Sequence, residues 1–396
     1  MKLLVVSHKE TWADPTSPTG YSTIGGFPFQ MSAISQLFDE TTLLVLERAS
    51  PLPSGAQHLT GRSLRVTTLP EPRGRDLERK LRLLTWLPRH LPFVWRSVRA
   101  ADAVHAPVPG DLGTIGILVA LMQKKRLFVR HCGTWGEPQS LMDRFLFWLL
   151  ERIAGGKNIV LATGSAEEYP SSKNLNIKWI FSTSFTQNEF DAFAIAQPWR
   201  NGSTIKLITV ARLSLEKNII ACIDALSIML QQGYDAQLLI VGDGIDRLRL
   251  ENQTRLLNLD SKVKFLGNVD HNEVLETLSQ SHIFVFPTQV KEGFPKALLE
   301  AMAVGLPVVA SSVSVIPYLL GKCQCGMLLN KPDAENLAEA VLQMIANPQQ
   351  MKRMGDNARK AAEGYTLEKW GEQIREELEC AWGIKLRKQQ PGTAAK

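Results

Sequence analysis

Two doubly wound α/β domains in tandem are what the sequence predicts, and three observations carry that expectation. Short β-rich runs alternate with helix-length amphipathic segments, the signature of parallel sheets with crossover helices. The same rhythm restarts after a polar link at residues 197–203, Gln-Pro-Trp-Arg-Asn-Gly-Ser. A length of 396 residues, 44% hydrophobic and 21% charged, suits two ordinary domains with sizeable cores.

In the first half, apolar runs predict strands at 3–7, 42–47, 64–68, 102–105, 126–130 and 158–162. Helical periodicity predicts helices between them at 27–38, 77–100, 112–123 and 139–153. Pro88 and Pro92 are expected to break or kink the second helix. In the second half, strands are expected at 205–210, 237–241, 263–266, 282–286 and 307–310. Helices are expected at 217–231, 245–257, 272–279, 295–304, 334–346, 351–362 and 367–381. No repeat of 20–50 residues occurs, so a solenoid is excluded. The predicted division is a first domain over 1–196, a linker over 197–204, a second domain over 205–365 and a final helix over 366–384. The polar tail, 385–396, is expected to fray.

Composition excludes several classes. No apolar run reaches the length of a membrane-spanning helix. The opening Met1-Lys2-Leu3-Leu4-Val5-Val6-Ser7 is too short for a secretory signal and reads as a buried strand. Five cysteines (Cys132, Cys222, Cys323, Cys325, Cys380) form no Cys-x-x-Cys spacing, which suits a reducing compartment and argues against structural zinc or a disulfide framework. Cys323-Gln324-Cys325 could be redox-active, but unpaired small hydrophobes are the expected reading. The net charge of +6 sits in residues 1–200, and the remainder balances to zero. Residues 73–99 alone hold Arg73, Arg75, Arg79, Lys80, Arg82, Arg89, Arg96 and Arg99 against Asp76 and Glu78. Such a local excess implies an anionic partner: nucleic acid, an acidic ligand or a lipid surface. Nucleic acid is disfavoured, since no recognised binding module occurs.

In parallel sheets, ligands sit beyond the carboxyl ends of the strands, and with two domains the cleft between them is the default site. Three segments fall there. Residues 285–302 run from a strand through Glu292-Gly293-Phe294-Pro295 into a helix bearing Glu300. Pro295 is expected at the first helical position, and the open amides of this helix start favour an anion. At 100° per residue Glu300 lies about 200° from Leu298, so it is expected on the exposed face. Glu292 and Glu300 could address one ligand, or both could be solvated glutamates. Residues 210–218 carry Arg212, a planar fork for phosphate oxygens, and Lys217, a point charge at a helix entry. A solvated basic loop is the competing reading. Residues 20–30 place Gly25-Gly26 before a helix, an anion-friendly turn without the spacing of a nicotinamide site or a P-loop. Val241-Gly242-Asp243-Gly244 reads as a strand-to-helix turn with Asp243 as N-cap.

Together these segments resemble the family 4 retaining glycosyltransferases, which have two facing Rossmann-like domains, the GT-B fold. The resemblance is strongest over residues 205–330. It rests on Ala-Arg-Leu-x-x-x-Lys-Asn, Val-Gly-Asp-Gly, Phe-Leu-Gly-Asn-Val at 265–269, and Glu292-x7-Glu300 followed by Ala-Met-Ala-x-Gly-Leu-Pro-Val-Val-Ala. It is looser over Gly25-Gly26, 102–105 and Arg130-His131-Cys132-Gly133. Where the family often has Gly-Gly-x-Pro-Glu, this chain has Val315-Ile316-Pro317-Tyr318.

The resemblance implies that Arg212 and Lys217 hold the diphosphate of a nucleotide-sugar donor. Glu292 would meet the sugar hydroxyls, and Glu300 the ribose. Amides around Gly293 and Phe294 would assist, Gly267 and Asn268 would meet the base through backbone groups, and Gly25 and Gly26 would let a loop approach the phosphates. His131 would sit near the sugar, with a satisfied core histidine as its alternative. It also implies a first domain that binds the acceptor, a final helix that crosses back to it, and sugar transfer with net retention. No cofactor and no metal are expected, since no Asp-x-Asp pair follows a strand in a suitable loop. A nucleotide-sugar epimerase of the same fold and a catalytically silent partner subunit are the alternatives. The basic, aromatic-rich segment 77–99 adds a final expectation. It predicts a cytoplasmic enzyme, peripheral on an anionic membrane surface, acting on a lipid-linked or saccharide acceptor in cell-envelope polysaccharide or glycolipid synthesis. An ordinary crossover helix is the alternative for that segment.

Overall fold

The computed structural model describes residues 1–72, 76–136, 138, 140–166, 168–200 and 202–388, without the side chains of 76–81. Arg73 and Arg75, and the side chains of Arg79 and Lys80, therefore lie outside the described residues, as does the tail beyond 388. The chain divides into two compact units, residues 1–181 with 367 onward, and residues 182–366.

The first unit runs β1 (Lys2–Ala13), β2 (Tyr21–Thr23), α1 (Phe27–Ser35), β3 (Glu40–Glu47), β4 (Gln57–His58) and β5 (Leu64–Pro70). It continues through α2 (Asp76–Ala100), β6 (Ala103–Val108), α3 (Asp111–Met122), β7 (Arg126–His131), α4 (Leu141–Ile153), β8 (Asn158–Thr163) and β9 (Ile177–Ile180). Seven strands are parallel in the order β5-β3-β1-β6-β7-β8-β9; the short β2 pairs antiparallel with β1, and β4 antiparallel with β2. Alternation along β1 sends Leu4 and Val6 to one core and Leu3 and Val5 to the other.

Helix α2 is continuous through Pro88 and Pro92, against the expected break. The prolines are four residues apart on its exposed side, so the carbonyls they leave unbonded face water. No described helix is long and apolar enough to cross a membrane.

The second unit runs α5 (Gln187–Ala192), β10 (Ile205–Val210), α6 (Ile219–Gln231), β11 (Ala236–Val241), α7 (Arg247–Leu256), β12 (Val263–Gly267) and α8 (His271–Ser279). It continues through β13 (Ile283–Phe286), α9 (Lys296–Ala303), β14 (Val308–Ser311), α10 (Ile316–Cys323), β15 (Gly326–Leu329), α11 (Ala334–Ile345) and α12 (Pro348–Ala362). Its six strands are all parallel, ordered β12-β11-β10-β13-β14-β15.

The boundaries differ from those expected. Residues 182–196 belong to the second unit. Arg359 fastens them there: its guanidinium donates to the carbonyls of Ala303 (2.6 Å) and Phe190 (3.1 Å) and lies 4.6 Å over the Phe190 ring. The Ala196 amide bonds the Val304 carbonyl. The last helix, α13 (Leu367–Trp382), is built into the first unit. Its Leu367, Trp370, Ile374, Leu378 and Trp382 recur at helical spacing and enter the core that holds Leu3, Val5 and Phe128.

The cysteine expectation is corrected as well. Cys323 and Cys325 form a disulfide, because Gln324 turns left-handed (φ 52°) and brings their Cα atoms to 5.2 Å. Cys132, Cys222 and Cys380 are free.

Candidate active site

In the second unit the loops leaving β10, β13 and β14 are tied together. After β10 the chain forms a tight 3-10 turn, Leu215–Lys217, before α6. The Glu216 carbonyl of that turn accepts from the Gln289 amide (2.8 Å) in the loop after β13. In the loop after β14, the Ser314 hydroxyl donates to the Glu292 carbonyl. These ties bring Lys217 onto Glu292, where the ammonium donates to the carboxylate Oε1. Lys217 also stands 5.9 Å over the Phe286 ring. Arg212 is exposed, and its guanidinium has no ion pair or hydrogen bond among the described residues. Lys217 is thus held by an ion pair and a ring rather than standing free in solvent.

Helix starts in this unit fall into two groups, and the uncapped group includes α7 as well as the three near this site. Helices α8, α11 and α12 are capped by the side chains of Asp270, Asp333 and Asn347. Helices α6, α9 and α10 have no side-chain cap. Their N-caps are Asn218, Pro295 and Val315, which adjoin Lys217, the Glu292 loop and Ser314 in sequence. Three helix N-termini without side-chain caps, each the positive end of its helix, thus adjoin one lysine–glutamate pair in sequence, although in α10 the Ile316 amide is bonded to the Val313 carbonyl and in α6 the Ala221 amide to that of Asn218. Pro295 is the N-cap, not the first helical residue expected, and the helix begins at Lys296. Gly293 is half-buried, and Phe294 is buried with its ring 5.7 Å from Tyr365.

Glu300 departs from expectation. It is buried, not exposed: Ser184 donates to its Oε1 at 2.5 Å, and His271 Nδ1 stands 3.7 Å from the same oxygen. The helical-wheel argument failed because Ser184 and His271, from elsewhere in the chain, pack onto the carboxylate. Neither Ser184 nor His271 was singled out from the sequence. The position of Asp270 and His271 at a helix start was the only local signal.

Gly267 ends β12 with φ 72°, its carbonyl accepts from the Gly242 amide, and the neighbouring Asn268 is exposed. The Val-Gly-Asp-Gly segment owes its glycines to a close approach of two loops. A Cβ on Gly242 would stand 2.0 Å from the Ala211 carbonyl oxygen, and one on Gly244 2.2 Å from that of Leu213. Asp243 is not the N-cap of α7; Asp246 is, and Asp243 pairs with Arg247 (3.2 Å). A cavity of about 610 Å³, lined in part by Trp199, His282, Pro307 and Met351, adjoins the starts of β13 and β14 and contains none of these residues.

The first unit holds Gly25, Gly26 and His131. Gly25 has φ 78°, and Gly26 is the N-cap of α1, again without a side-chain cap. His131 ends β7, buried against the rings of Trp135 (5.3 Å) and Phe147 (5.0 Å). Burial lowers its pKa to about 4, so the ring is neutral at pH 7. Its Nδ1 lies 3.1 Å from the Gly133 carbonyl, which can only accept, so the proton sits on Nδ1 and Nε2 keeps its lone pair. Among the described residues, no group of three His, Cys, Asp or Glu could hold a metal ion.

Comparison with known proteins bears on the family and the fold. The family model for glycosyl transferases group 1 matches residues 192–361. A GDP-mannose-dependent alpha-(1-6)-phosphatidylinositol dimannoside mannosyltransferase of Mycobacterium tuberculosis is 27% identical over 324 residues, 72% of this chain and 79% of that protein. The amylovoran biosynthesis glycosyltransferase AmsK of Erwinia amylovora is 35% identical over 145 residues, 35% of this chain and 36% of that one. Among solved structures, Anabaena HepE in complex with UDP superposes with a TM-score of 0.70 at 17% identity, covering 96% of this chain and 100% of that one. Sucrose-phosphate synthase from Thermosynechococcus elongatus gives 0.70 at 17% identity, covering 96% and 99%. The chain thus has the GT-B fold of two Rossmann-like units, and its residues 192–361 match the group 1 glycosyl transferases.

Proposed function

We propose that this glycosyltransferase moves a sugar, with net retention, from a nucleoside-diphosphate sugar to an acceptor hydroxyl in cell-envelope polysaccharide or glycolipid assembly. The observation that carries the reading is the convergence of Lys217, its partner Glu292 and three uncapped helix starts, with the unpaired Arg212 five residues before Lys217. Two cations and open amides are what a departing diphosphate needs, because they stabilise charge that grows in the transition state. Glu292 holds Lys217 in place and offers its second oxygen to a sugar hydroxyl. Ser184 engages Oε1 of Glu300 and leaves Oε2 for a ribose hydroxyl. His131, neutral with an open Nε2, accepts from the sugar. Backbone groups around Gly267 and Asn268 meet the base, and Gly25 and Gly26 admit the phosphates. The UDP complex of HepE and the phosphatidylinositol dimannoside in the mycobacterial relative's name support the donor and acceptor classes. Basic residues within 77–99 would hold the enzyme on an anionic cytoplasmic membrane face near a lipid-linked acceptor.

Labelled UDP-, GDP- and ADP-sugars, read for saturation binding and slow hydrolysis, identify the donor. The Lys217→Ala variant should then lose roughly two to three orders of magnitude in turnover with an unchanged circular dichroism spectrum. Near-normal kinetics in that variant would remove the diphosphate assignment. Since basic side chains and amides stand where other transferases use a divalent ion, activity should survive excess EDTA. Loss on chelation, restored by Mg²⁺ or Mn²⁺, would contradict this part of the reading.

A further inference from the structure

The geometry points to the outer surface of α2, α3 and α4 as a docking face for an anionic lipid bilayer, with α4 as the element that enters the acyl layer. The inference deepens the membrane reading above and rests on it for the location of the acceptor.

Of thirteen large apolar side chains exposed among the described residues of the first unit, nine lie on these three helices. Helix α4 shows why they are not leftovers of packing. Its inner stripe, Leu146, Leu149 and Leu150, is buried in the core. Its outer stripe, Leu141, Met142, Phe145 and Trp148, falls on one face at helical spacing, with Leu141 81% and Trp148 53% exposed. Phe145 and Trp148 stack at 5.9 Å, and the Arg152 guanidinium lies 5.8 Å over the indole. Helix α3 adds Leu118 and Met122, and α2 adds Leu84, Phe93 and Trp95. All three helices cover the same side of the sheet, since Val94, Val98, Ile117, Leu146 and Leu150 share one core. The end of α3 is also tied to α2, through Gln123 to the Trp95 carbonyl (2.9 Å).

Charge decides what covers this surface. Arg89, Arg96, Arg99 and Arg144 are exposed and make no ion pair among the described residues. A second copy of this chain would set these cations against each other, which like charges oppose. An anionic bilayer satisfies both features: arginine heads reach the lipid phosphates while the aliphatic and aromatic groups enter below them.

Sedimentation with phosphatidylcholine vesicles, with and without phosphatidylglycerol, tests the face. The wild-type protein should bind only the anionic vesicles, and added salt should release it. Combining Leu141→Gln, Phe145→Gln and Trp148→Gln should cut the bound fraction by at least about tenfold at fixed salt. Combining Arg144→Gln and Arg152→Gln should lower the salt dependence instead. Should the triple variant fail to fold, Trp148→Phe alone should keep vesicle binding while losing most of the tryptophan quenching by brominated acyl chains. Wild-type binding by the triple variant, unchanged quenching in Trp148→Phe, or a lipid-free dimer that the triple variant abolishes would each overturn the proposal. Donor binding measured without vesicles separates the two readings. It stays at the wild-type value if only this face fails, and its absence from the wild-type protein would sink the transferase reading alone.

Discussion

At the scale of single residues, buried cations and imidazoles in the first unit create costs that the surroundings must offset. Arg130 is buried, with its guanidinium 5.0 Å over the Trp370 ring and Nε without a hydrogen-bond partner. His105 is fully buried, stacked on Phe128 at 4.2 Å, with Nδ1 bonded to the Phe128 carbonyl. Burial, and then the nearby Arg130 charge, lower its pKa to about 3. His105 and His131 are therefore neutral in the folded chain and take up a proton near pH 6.5 when it unfolds. The unfolded state binds more protons as pH falls below 6.5, so stability falls from there and stops falling only below the folded pKa values. Each histidine contributes up to about 1.4 kcal/mol per pH unit over that window. Urea unfolding of the first unit at pH 7 and pH 4.5 should show this loss, and His105→Gln should reduce the slope by about one histidine's share. An unchanged slope in that variant would mean His105 titrates alike in both states.

At the scale of elements, the loops after strands carry the constraints, and the second unit shows how much of them the sequence exposed. The pairing of Lys217 with Glu292 was foreseen only as two separate motifs. Both motifs were legible because each follows a strand and opens a helix, and strand–loop–helix rhythm is a local property. The covering of Glu300 was not legible: Ser184 lies 116 residues away in sequence, and no local period encodes that contact. The four-residue β9 and β15 were missed because neither is the fully buried run that marks the equally short β13 and β14. The glycines are a sharper case. Gly242 has φ 124° and no room for a methyl group against Ala211, so its role is steric and independent of any ligand. Gly242→Ala should cost at least about 3 kcal/mol. That would lower the melting temperature of the second unit by roughly 6–12 °C. Gly321→Ala, at an exposed position of α10 with nothing within 4 Å, should instead be neutral or stabilise by up to about 1 kcal/mol. Equal melting points for the two variants would refute the close-approach account.

At the scale of the whole molecule, the chain leaves the first unit at Phe181 and re-enters it at Leu367, so the second unit is continuous and the first is not. The two α/β rhythms were readable from the restart at residues 197–203, because each domain repeats the same periodicity. Which unit owns a border segment was not, because ownership depends on partners such as Arg359 and Ala303 that lie far along the chain. The discontinuity has an energetic consequence. Helix α13 buries Leu367, Trp370, Ile374, Leu378 and Trp382 in the first unit. At about 1.5–3 kcal/mol for each large apolar side chain, five of them amount to roughly 10 kcal/mol. A domain of this size is stable by only about 5–15 kcal/mol, so losing the helix removes most or all of that margin. Polar ties would go with it, among them Lys178 to Glu377 (2.6 Å) and the Trp382 indole to the Lys157 carbonyl (2.9 Å). A chain ending at Thr366 should therefore keep a protected second unit and present an unfolded first one. Residues 182–366 expressed alone should fold, since their core draws on no residue outside that span. Hydrogen exchange read peptide by peptide distinguishes the cases. Rapid exchange throughout β1, β6 and β7, with slow exchange in β10 and β13, is the expected pattern. Slow exchange in both sets of strands would show that the first unit stands without its returning helix.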